Sequence, residues 1–432
     1  MCQALFEKNC DLGEIDMKDK QRTILHIDFN NFYASVESSL DPELKKHPIA
    51  VCGSQEDRHG IVLAKNYAAK ACGVATGEVI WQAKQKCRDL VIVQPHYDEY
   101  MKYSRLGREI YERYTDQIEP YGMDEVWADV TGSTRLFGDG EHIAEEIRET
   151  VKRELGLTVS IGVSFNKIFA KLGSDMKKPD AVTVIPEETF REKIWDLPAK
   201  EMLGVGPSTY RKLVSSGVTT IGRLAEWPME SLVAKFGVRG KDLWLCANGY
   251  DHSPVTKRNT EALDKTAGHG MTALQDLESS AEVWPFILEL SQEIGHRLMT
   301  FRKRACGVAI SVKDKDLMSC QWQCPLNIPT QSPSYIAKSA FSLFQKRYDW
   351  HKPIRAMTVR AIELASLDKS YQLNMMENAS RIDRQEALDY AVDDLRRRFG
   401  NNIIRNAVLL NGNTKYPGHD NPKLIMPTGL PC

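Results

Sequence analysis

Tyr121-Gly122-Met123-Asp124-Glu125-Val126-Trp127-Ala128-Asp129-Val130 is the stretch that decides the fold of this chain of 432 residues. It places two adjacent carboxylates at the beginning of a β-rich run, and His26-Ile27-Asp28-Phe29-Asn30-Asn31-Phe32-Tyr33 places Asp28 in a similar setting. Carboxylate oxygens are the ligands that Mg²⁺ prefers, together with substrate phosphates. Two such ions, about 3.5–4 Å apart, hold both oxygens of an in-line phosphoryl displacement. We therefore expect the two acidic strands to meet in one sheet and share a divalent metal site.

The adjacency of Asp124 and Glu125 sets a geometric condition on this site. Neighbouring side chains in a regular strand point to opposite faces of the sheet. Both carboxylates reach one site only if the pair lies at the end of a strand or at a bulge. The alternative is an acidic pair at a turn edge on a solvated strand, because such pairs are common.

The composition is that of an ordinary globular protein, with 42% hydrophobic and 27% charged residues. Its length predicts two to four domains. No apolar run approaches the ~20 residues that a membrane span needs, and residues 1–22 contain no apolar secretory segment. The ten cysteines are scattered, and no second pair completes a zinc spacing with Cys320 and Cys324. We therefore expect reduced thiols in a cytoplasmic protein. The net charge of −1 restricts any nucleic-acid binding to local basic patches.

Hydrophobic periodicity predicts an α+β domain around the acidic stretches. Residues 23–29 and 158–164 have the pattern of strands. Residues 98–117 and 141–155 have the pattern of amphipathic helices, the second with an apolar residue at every fourth position. Without a small α+β insertion at 31–95, this order predicts a βαββαβ sheet with helices on one face and the acids on adjacent central strands.

Two later segments are candidates for binding nucleic acid. Gly204 and Gly206, in Leu203-Gly204-Val205-Gly206-Pro207, are typical of a helix-hairpin-helix turn, where glycines let backbone N–H groups approach a phosphate. The alternative for that turn is a helix C-cap. Residues 256–265 read as a linker. Beyond it, Arg302, Lys303 and Arg304 form a basic cluster in a second α+β region, and plain surface charge is the alternative for this cluster.

Taken together, these motifs resemble those of Y-family DNA polymerases, and most closely the bacterial DNA polymerase IV group, over residues 23–410. The resemblance implies an α+β multidomain fold shaped like a right hand. The motifs that carry it are Asp28 with Phe32-Tyr33-Ala34-Ser35-Val36-Glu37, Asn66-Tyr67, Gly73-Val74, Met123-Asp124-Glu125, Ser160-Ile161-Gly162-Val163-Ser164, Asn166-Lys167, Ala170-Lys171 and Lys178-Pro179. The implied parts are an N-terminal extension (1–22), a ferredoxin-like palm (23–30 and 96–180), small fingers (31–95), a helical thumb with the helix-hairpin-helix (181–255), the linker (256–265), an α+β little finger (266–410) and a tail (411–432).

The resemblance also implies a role for individual residues. Asp28, Asp124 and Glu125 correspond to the catalytic, metal-binding acids of the family, and the Phe29 carbonyl to a further ligand of two Mg²⁺ ions, for which Mn²⁺ is a possible substitute. Tyr33 corresponds to the steric gate, an aromatic ring under the sugar that leaves no room for a 2′-hydroxyl; its alternative is a core aromatic residue. The implied dNTP contacts are Phe32, Tyr33, Tyr67, Lys70 and Lys171. Taken alone, Lys171 reads as a solvated helix residue, but the preceding Asn166-Lys167 motif favours the triphosphate contact.

The implied reaction is attack of a primer 3′-hydroxyl on the α-phosphorus of a dNTP, directed by a template. The implied partners are primer–template DNA and dNTP, for a monomer that binds no membrane. Small, open fingers imply low fidelity and translesion synthesis in DNA repair. Binding of the duplex through its phosphates implies affinity that depends on salt and not on sequence.

Several positions depart from the family pattern. Gly122 stands where Ser is usual and Asn30 where an acid is frequent. Lys70 replaces an Arg, which keeps the charge but loses the bidentate fork, and Gly77-Glu78-Val79 replaces Gly-Met-Pro. None of these changes removes a metal ligand, so they bear on rate and lesion preference.

The late segment Gln372-Leu373-Asn374-Met375-Met376 resembles the Gln-Leu-x-Leu-Phe peptide by which such polymerases dock on a sliding clamp. Gln372, Leu373, Met375 and Met376 are therefore candidate clamp contacts. A loop with a buried leucine is the alternative. Tethering to a clamp raises the local concentration of a weak DNA binder.

Two other functions compete with the polymerase. A non-catalytic DNA-binding or regulatory protein on a polymerase scaffold would be favoured by loss of any one of the three acids, and all three are present. A nucleotidyl cyclase also carries acids on paired strands. The helix-hairpin-helix pattern and the basic C-terminal region argue against the cyclase.

Overall fold

The computed structural model describes residues 22–54, 58, 60–257, 265–369, 379–409 and 415–416. They form two compact units, one from 22–39 and 99–257 and the other from 40–98 and 265–416 within those ranges. The strands are β1 (Ile24–Phe29), β2 (Ile49–Cys52), β3 (Val62–Lys65), β4 (Val91–Val93), β5 (Ile118–Tyr121), β6 (Glu125–Asp129), β7 (Val159–Ser164), β8 (Val182–Ile185), β9 (Thr266–Leu277), β10 (Lys303–Asp314), β11 (Ser319–Thr330) and β12 (Ile354–Ser366).

Helices separate many of these strands, and in the described ranges five helices follow one another between β8 and β9. They are α1 (Phe32–Leu40), α2 (Tyr67–Ala71), α3 (Ile80–Lys86), α4 (Tyr97–Tyr111), α5 (Thr134–Phe137), α6 (Gly140–Leu155), α7 (Lys167–Met176), α8 (Phe190–Ile194), α9 (Pro207–Val214), α10 (Ile221–Glu226), α11 (Met229–Phe236), α12 (Val238–Ala247), α13 (Ser280–Thr300), α14 (Pro333–Arg347) and α15 (Ala379–Phe399). No helix of the described ranges is both long and apolar enough to cross a bilayer.

The first unit is built on a five-stranded sheet with the order β5-β6-β1-β7-β8. β1 lies at its centre, antiparallel to β6 on one side and to β7 on the other, and every residue of β1 is buried. The β1–β6 register pairs Asp28 with Glu125, and the β1–β7 register pairs Asp28 with Ser160. The two acidic strands are therefore neighbours in one sheet, as the sequence predicts.

The helices around this sheet do not all lie on one face, and that part of the sequence prediction is wrong. α4 and α6 pack against the face that carries Phe29 and Val163, because Gly107 of α4 lies against Phe29 and Gly140 of α6 against Val163. α7 packs on the opposite face, against Gly162. Glycine at this position has no side chain, so the backbone of α7 can lie directly on the sheet.

Local signals explain where the two best-defined helices of this unit begin and end. Asp139 caps α6 by accepting from His142 N–H, and Gly156 ends the helix in the left-handed conformation (φ 66°). Asn166 caps α7 by accepting from Phe169 N–H at 2.8 Å. Five further helices, α8 to α12, share a separate apolar core with Phe169 of α7.

The second unit contains two sheets. The smaller has the order β3-β2-β4 and packs with α2 and α3. The larger has the order β11-β10-β12-β9, is antiparallel throughout, and buries one face against α13 and α14. α15 lies against α13 through His296 and Asp393, whose Nδ1 and Oδ1 are 2.7 Å apart. Tyr416 is buried in the same core, with its ring 5.0 Å from that of Phe286.

Candidate active site

Three carboxylates approach one another at the end of the β1–β6 pair. Asp28 is the penultimate residue of β1, Glu125 is the first residue of β6, and Asp124 is the last residue of the turn that precedes β6. The N–H of Phe29 donates to the Asp124 carbonyl at 3.1 Å, which ties this turn to β1. The acidic pair thus lies at a strand end, which is the condition under which both side chains reach one site.

The turn before the acidic pair depends on Gly122. This residue has φ +87°, and side chains are strained in that conformation. A Cβ added there would contact Asp124 Oδ1 at 3.7 Å, an ordinary distance, so space is not the constraint. Glycine is suited to this position because the backbone adopts a positive φ in the turn before Asp124.

Burial controls the protonation of the two aspartates. Burial raises the pKa of Asp28 to about 7 although the ammonium of Lys178 opposes the shift, and the charges of Glu125 and Asp124 raise it further. Burial also raises the pKa of Asp124, and the neighbouring charge of Glu125 adds to the increase. A buried carboxylate (Asp28) beside a half-buried one (Asp124) makes a site where a cation binds favourably, because their negative charges repel each other.

The pKa of Glu125 shifts in the opposite direction, because Lys171 and His26 contact its carboxylate. Burial alone would raise its pKa, but contacts with His26 and Lys171 lower the pKa of Glu125 to about 2. Lys171 Nζ donates to Glu125 Oε2, and His26 Nε2 lies 3.1 Å from the same oxygen. Glu125 is therefore ionised near neutral pH.

One face of α7 and the turn that follows it supply cations and hydrogen-bonding groups to the sheet at helical spacing. Lys167, Lys171 and Ser174 are three or four residues apart and lie on one face of the helix. Lys167 Nζ is 2.6 Å from Glu119 Oε1, and Lys171 contacts Glu125. Beyond the helix, Lys178 Nζ is 2.5 Å from Asp28 Oδ2.

A buried asparagine holds the segment that carries Lys178. Asn30 Nδ2 donates to Ser160 Oγ at 2.9 Å, and Asn30 Oδ1 accepts from Asp180 N–H at 2.9 Å. An acid at this position would lose the amide donor. The departure at Asn30 therefore has a local structural explanation.

The donor set fits a hard divalent cation in its chemistry. The carboxylates of Asp28, Asp124 and Glu125 and the Phe29 carbonyl offer oxygen ligands only. Across the described ranges, however, no three His, Cys, Asp or Glu side chains stand close enough to form a ready-made metal cluster. Lys178 contacts Asp28 and Lys171 contacts Glu125. A metal cation here would share these carboxylates with the lysine ammonium groups or displace those groups.

The predicted gate residue is held by aromatic stacking. The Tyr33 ring lies 4.2 Å from the Tyr100 ring with 10° between their planes, and Tyr33 O–H donates to Met123 Sδ at 3.4 Å. The Tyr100 hydroxyl donates to Glu37 Oε1, and both residues are buried. Phe32 is buried against Phe29, with ring centres 5.1 Å apart.

The other predicted site residues lie elsewhere in the fold. Tyr67 and Lys70 belong to α2 of the second unit, with Lys70 Nζ 5.6 Å from the centre of the Tyr67 ring. Gly204 has φ +89°, and Gly206 is the N-cap residue of α9.

The predicted basic cluster is largely paired within the second unit. Arg302 pairs with Asp368 at 2.9 Å, Arg304 lies 3.5 Å from Glu386, and Lys303 begins β10. The candidate clamp residues Gln372, Leu373, Met375 and Met376 lie outside the described residues.

Sequence reasoning missed His26 and assigned no role to Lys178. A period of two along β1 places His26 on the same face as Asp28, which is a signal that the sequence contains. Lys178 follows Lys171 by seven residues, about two helical turns, but it lies beyond the end of α7. Its contact with Asp28 depends on the turn after the helix, so periodicity alone does not predict it.

Comparison with known proteins places the chain in a family. Residues 27–175 match the model of the impB/mucB/samB family, and residues 264–375 match the model of its C-terminal domain. The chain is 50% identical to DNA polymerase IV of Acetivibrio thermocellus, over 90% of this chain and 98% of that protein. It is 36% identical to DNA polymerase IV 2 of Halalkalibacterium halodurans, over 90% of this chain and 95% of that protein. A solved Y-family DNA polymerase chimera of Dbh and Dpo4 shares the fold, with a TM-score of 0.71 and 22% identity over 80% of this chain and 99% of the chimera.

Proposed function

The chain belongs to the impB/mucB/samB family of Y-family DNA polymerases and is a DNA-directed DNA polymerase of translesion synthesis, and we propose that Asp28, Asp124 and Glu125 form its catalytic centre. The substrates would be a primer–template and a dNTP, joined at the primer 3′-hydroxyl with release of pyrophosphate. The observation that supports this site is the register of Asp28 with Glu125 on adjacent central strands. Asp124 lies at the strand end beside them.

Divalent metal dependence is a general property of this family, and we propose two Mg²⁺ ions, with Mn²⁺ as a substitute, held by the three carboxylates and the Phe29 carbonyl. Bound there, the ions would lower the pKa of the primer hydroxyl and neutralise the triphosphate. The chain's own contribution is a set of buried and half-buried acids whose mutual repulsion favours cation binding. Lys178 and Lys171 stabilise two of these acids through direct contacts.

The same lysines are suited to the triphosphate. We propose that Lys171 contacts phosphate oxygens, because preorganised cations stabilise charge that develops on the leaving pyrophosphate. Tyr67 and Lys70 remain proposed dNTP contacts on the basis of the sequence motif alone. Lys178 is a further candidate, since its ammonium already lies at Asp28.

We propose that Tyr33 selects the sugar of the dNTP and that Phe32 is an adjoining dNTP contact. Stacking on Tyr100 fixes the ring plane, so the gate cannot easily turn aside for a 2′-hydroxyl. The contact of its hydroxyl with Met123, next to Asp124, connects the gate to the acidic turn.

For DNA we propose two sets of phosphate contacts. The turn around Gly204 and Gly206 offers backbone N–H groups, and Arg302, Lys303 and Arg304 offer charge. Arg302 and Arg304 each contact an acid within the protein, so binding DNA would exchange those pairs for phosphates. The domain boundaries, the monomeric state and clamp docking through 372–376 remain parts of this proposal.

Primer extension tests the catalytic assignment. Asp124→Ala should abolish Mg²⁺-dependent extension on a primer–template while leaving DNA affinity and thermal stability close to those of the parent. Asp116→Ala is the matched control, because Asp116 is 75% exposed and pairs only with the surface residue Lys257 in the described structure. Extension by Asp124→Ala at the parental rate would reject the site. A parent that binds DNA without extending primers would favour the non-catalytic alternative.

A further inference from the structure

His26 is a buried titratable residue that contacts one of the three acids and has no role in the reaction described above. His26 lies in the middle of β1 and is 0% exposed. Its Nε2 forms no well-aligned hydrogen bond with any described residue, yet it faces Glu125 Oε2 at 3.1 Å. A buried N–H without an acceptor is costly, so this contact is favourable to both groups.

The imidazole is held from three sides. Nδ1 lies 2.8 Å from Ser174 Oγ, and that hydroxyl also lies 2.8 Å from the carbonyl of Lys171. The Trp127 ring packs edge-on against the imidazole with centroids 5.3 Å apart. On the other side of β1, the residue in register with His26 is Gly162, which leaves room for Ser174 to approach. The orientation of the ring is thus set by its neighbours.

The contact with Glu125 favours a proton on Nε2. With a proton on Nε2, the N–H faces Glu125 Oε2 at 3.1 Å, while Nδ1 lies within hydrogen-bond distance of Ser174 Oγ. The alternative tautomer would place a lone pair against the ionised carboxylate.

We propose that His26 is a positioning residue that fixes the carboxylate of Glu125 for metal binding. Glutamate has three rotatable side-chain bonds, whereas Asp28 and Asp124 have two, so Glu125 has the most freedom to lose. His26 and Lys171 both contact Oε2, which restrains the carboxylate through one oxygen and leaves the other for a cation. Partners of this kind commonly contribute roughly 10–100-fold to metal affinity or activity. This inference rests on the proposed function of Glu125.

Two variants of similar length separate the hydrogen bond from the packing. His26→Gln keeps an N–H near the Nε2 position, whereas His26→Met fills comparable space without a donor. Mn²⁺ affinity is measured on the full chain with a dideoxy-terminated primer–template and dNTP, so that no turnover occurs. We expect His26→Met to bind Mn²⁺ about 10-fold or more weakly than the parent. His26→Gln should recover most of the affinity, and both variants should bind DNA without metal as the parent does.

The outcomes distinguish this inference from the proposed function. Equal Mn²⁺ affinity in His26→Gln and His26→Met, with an active parent, would overturn the role of His26 and leave the catalytic site intact. A parent that neither extends a primer nor binds Mn²⁺ would reject the proposed function itself. If His26→Met does not fold, Ser174→Ala frees the ring without touching Glu125, and it should weaken Mn²⁺ binding; unchanged binding in that variant would also overturn the inference.

Discussion

Gly162→Ala should damage the active site without altering any residue that touches substrate. A Cβ at position 162 would lie 1.9 Å from the Ala170 carbonyl oxygen and 2.5 Å from the Ser174 backbone nitrogen. The closest ordinary contact is 3.4 Å, so the backbone of α7 must move from the sheet by up to 1.5 Å. Backbone atoms cannot turn aside as a side chain does, so the whole helix has to shift.

The size of the effect follows from that displacement. Overpacking of a well-packed interface costs about 1–3 kcal/mol of unfolding free energy. Because α7 carries Lys171 and Ser174, its shift moves the groups that contact Glu125 and His26. A misplacement of about 1 Å lowers the rate of a positioned reaction roughly 100-fold.

Single-turnover primer extension measures this loss, with urea unfolding and DNA binding measured in parallel. We expect a large fall in extension rate, a modest fall in stability and unchanged DNA affinity. Gly132→Ala is the matched control, because a Cβ there meets nothing within 4 Å. If Gly162→Ala extends primers at the parental rate, the close packing of α7 on the sheet does not position the site, and the reasoning fails.

Three further predictions concern the gate, the packing of α7 and the C-terminal helix. Tyr33→Ala should raise ribonucleotide incorporation relative to deoxynucleotides by roughly 10–200-fold, and an unchanged ratio in primer extension would remove Tyr33 as the gate. Glu119→Ala should lower the unfolding free energy by about 1.5–3 kcal/mol, because Lys167 loses its 2.6 Å partner; urea unfolding checks this value. The Asp393 contact raises the pKa of His296, so its stabilisation is complete at pH values below 6.5 and is lost as pH rises through the raised pKa. His296→Gln should therefore reduce melting temperature more at pH 6 than at pH 8.5, and an equal loss at both values would contradict the ion pair.

The central strand and the best helix of the first unit were predictable because their signals are local. Residues 23–29 form a continuous apolar run, and β1 is buried throughout. α6 was predicted from an apolar residue at every fourth position, and its observed bounds differ from the predicted range by a single residue. Such patterns depend on neighbours in sequence, so the amino-acid order is sufficient to find them.

The arrangement of the site was predictable only in part. Strand alternation gives the face on which Asp28 lies, but it does not choose Glu125 as the register partner. The contact between Lys178 and Asp28 joins residues 150 positions apart, and it depends on how α7 packs. The prediction of helices on one face failed for the same reason, because the close approach at Gly162 is a tertiary contact.

The C-terminal helix α15 gave no sequence signal strong enough to predict it. Its contacts with the rest of the second unit include polar pairs, such as His296 with Asp393 and Arg304 with Glu386. An amphipathic stripe of apolar residues is what identifies a helix from sequence. A helix that docks through charged and polar side chains lacks that stripe.

The central position of β1 has a consequence for synthesis on the ribosome. β1 ends at Phe29, but its two sheet partners begin at Glu125 and Val159. At a translation rate of about 5–20 residues per second, roughly 5–25 s pass between the synthesis of β1 and the synthesis of these partners. The smaller sheet of the second unit, whose last strand ends at Val93, is translated within that interval. Slow codons between positions 30 and 125 would therefore prolong the exposure of an apolar strand to aggregation, whereas the same codons after position 164 would leave β1 unaffected.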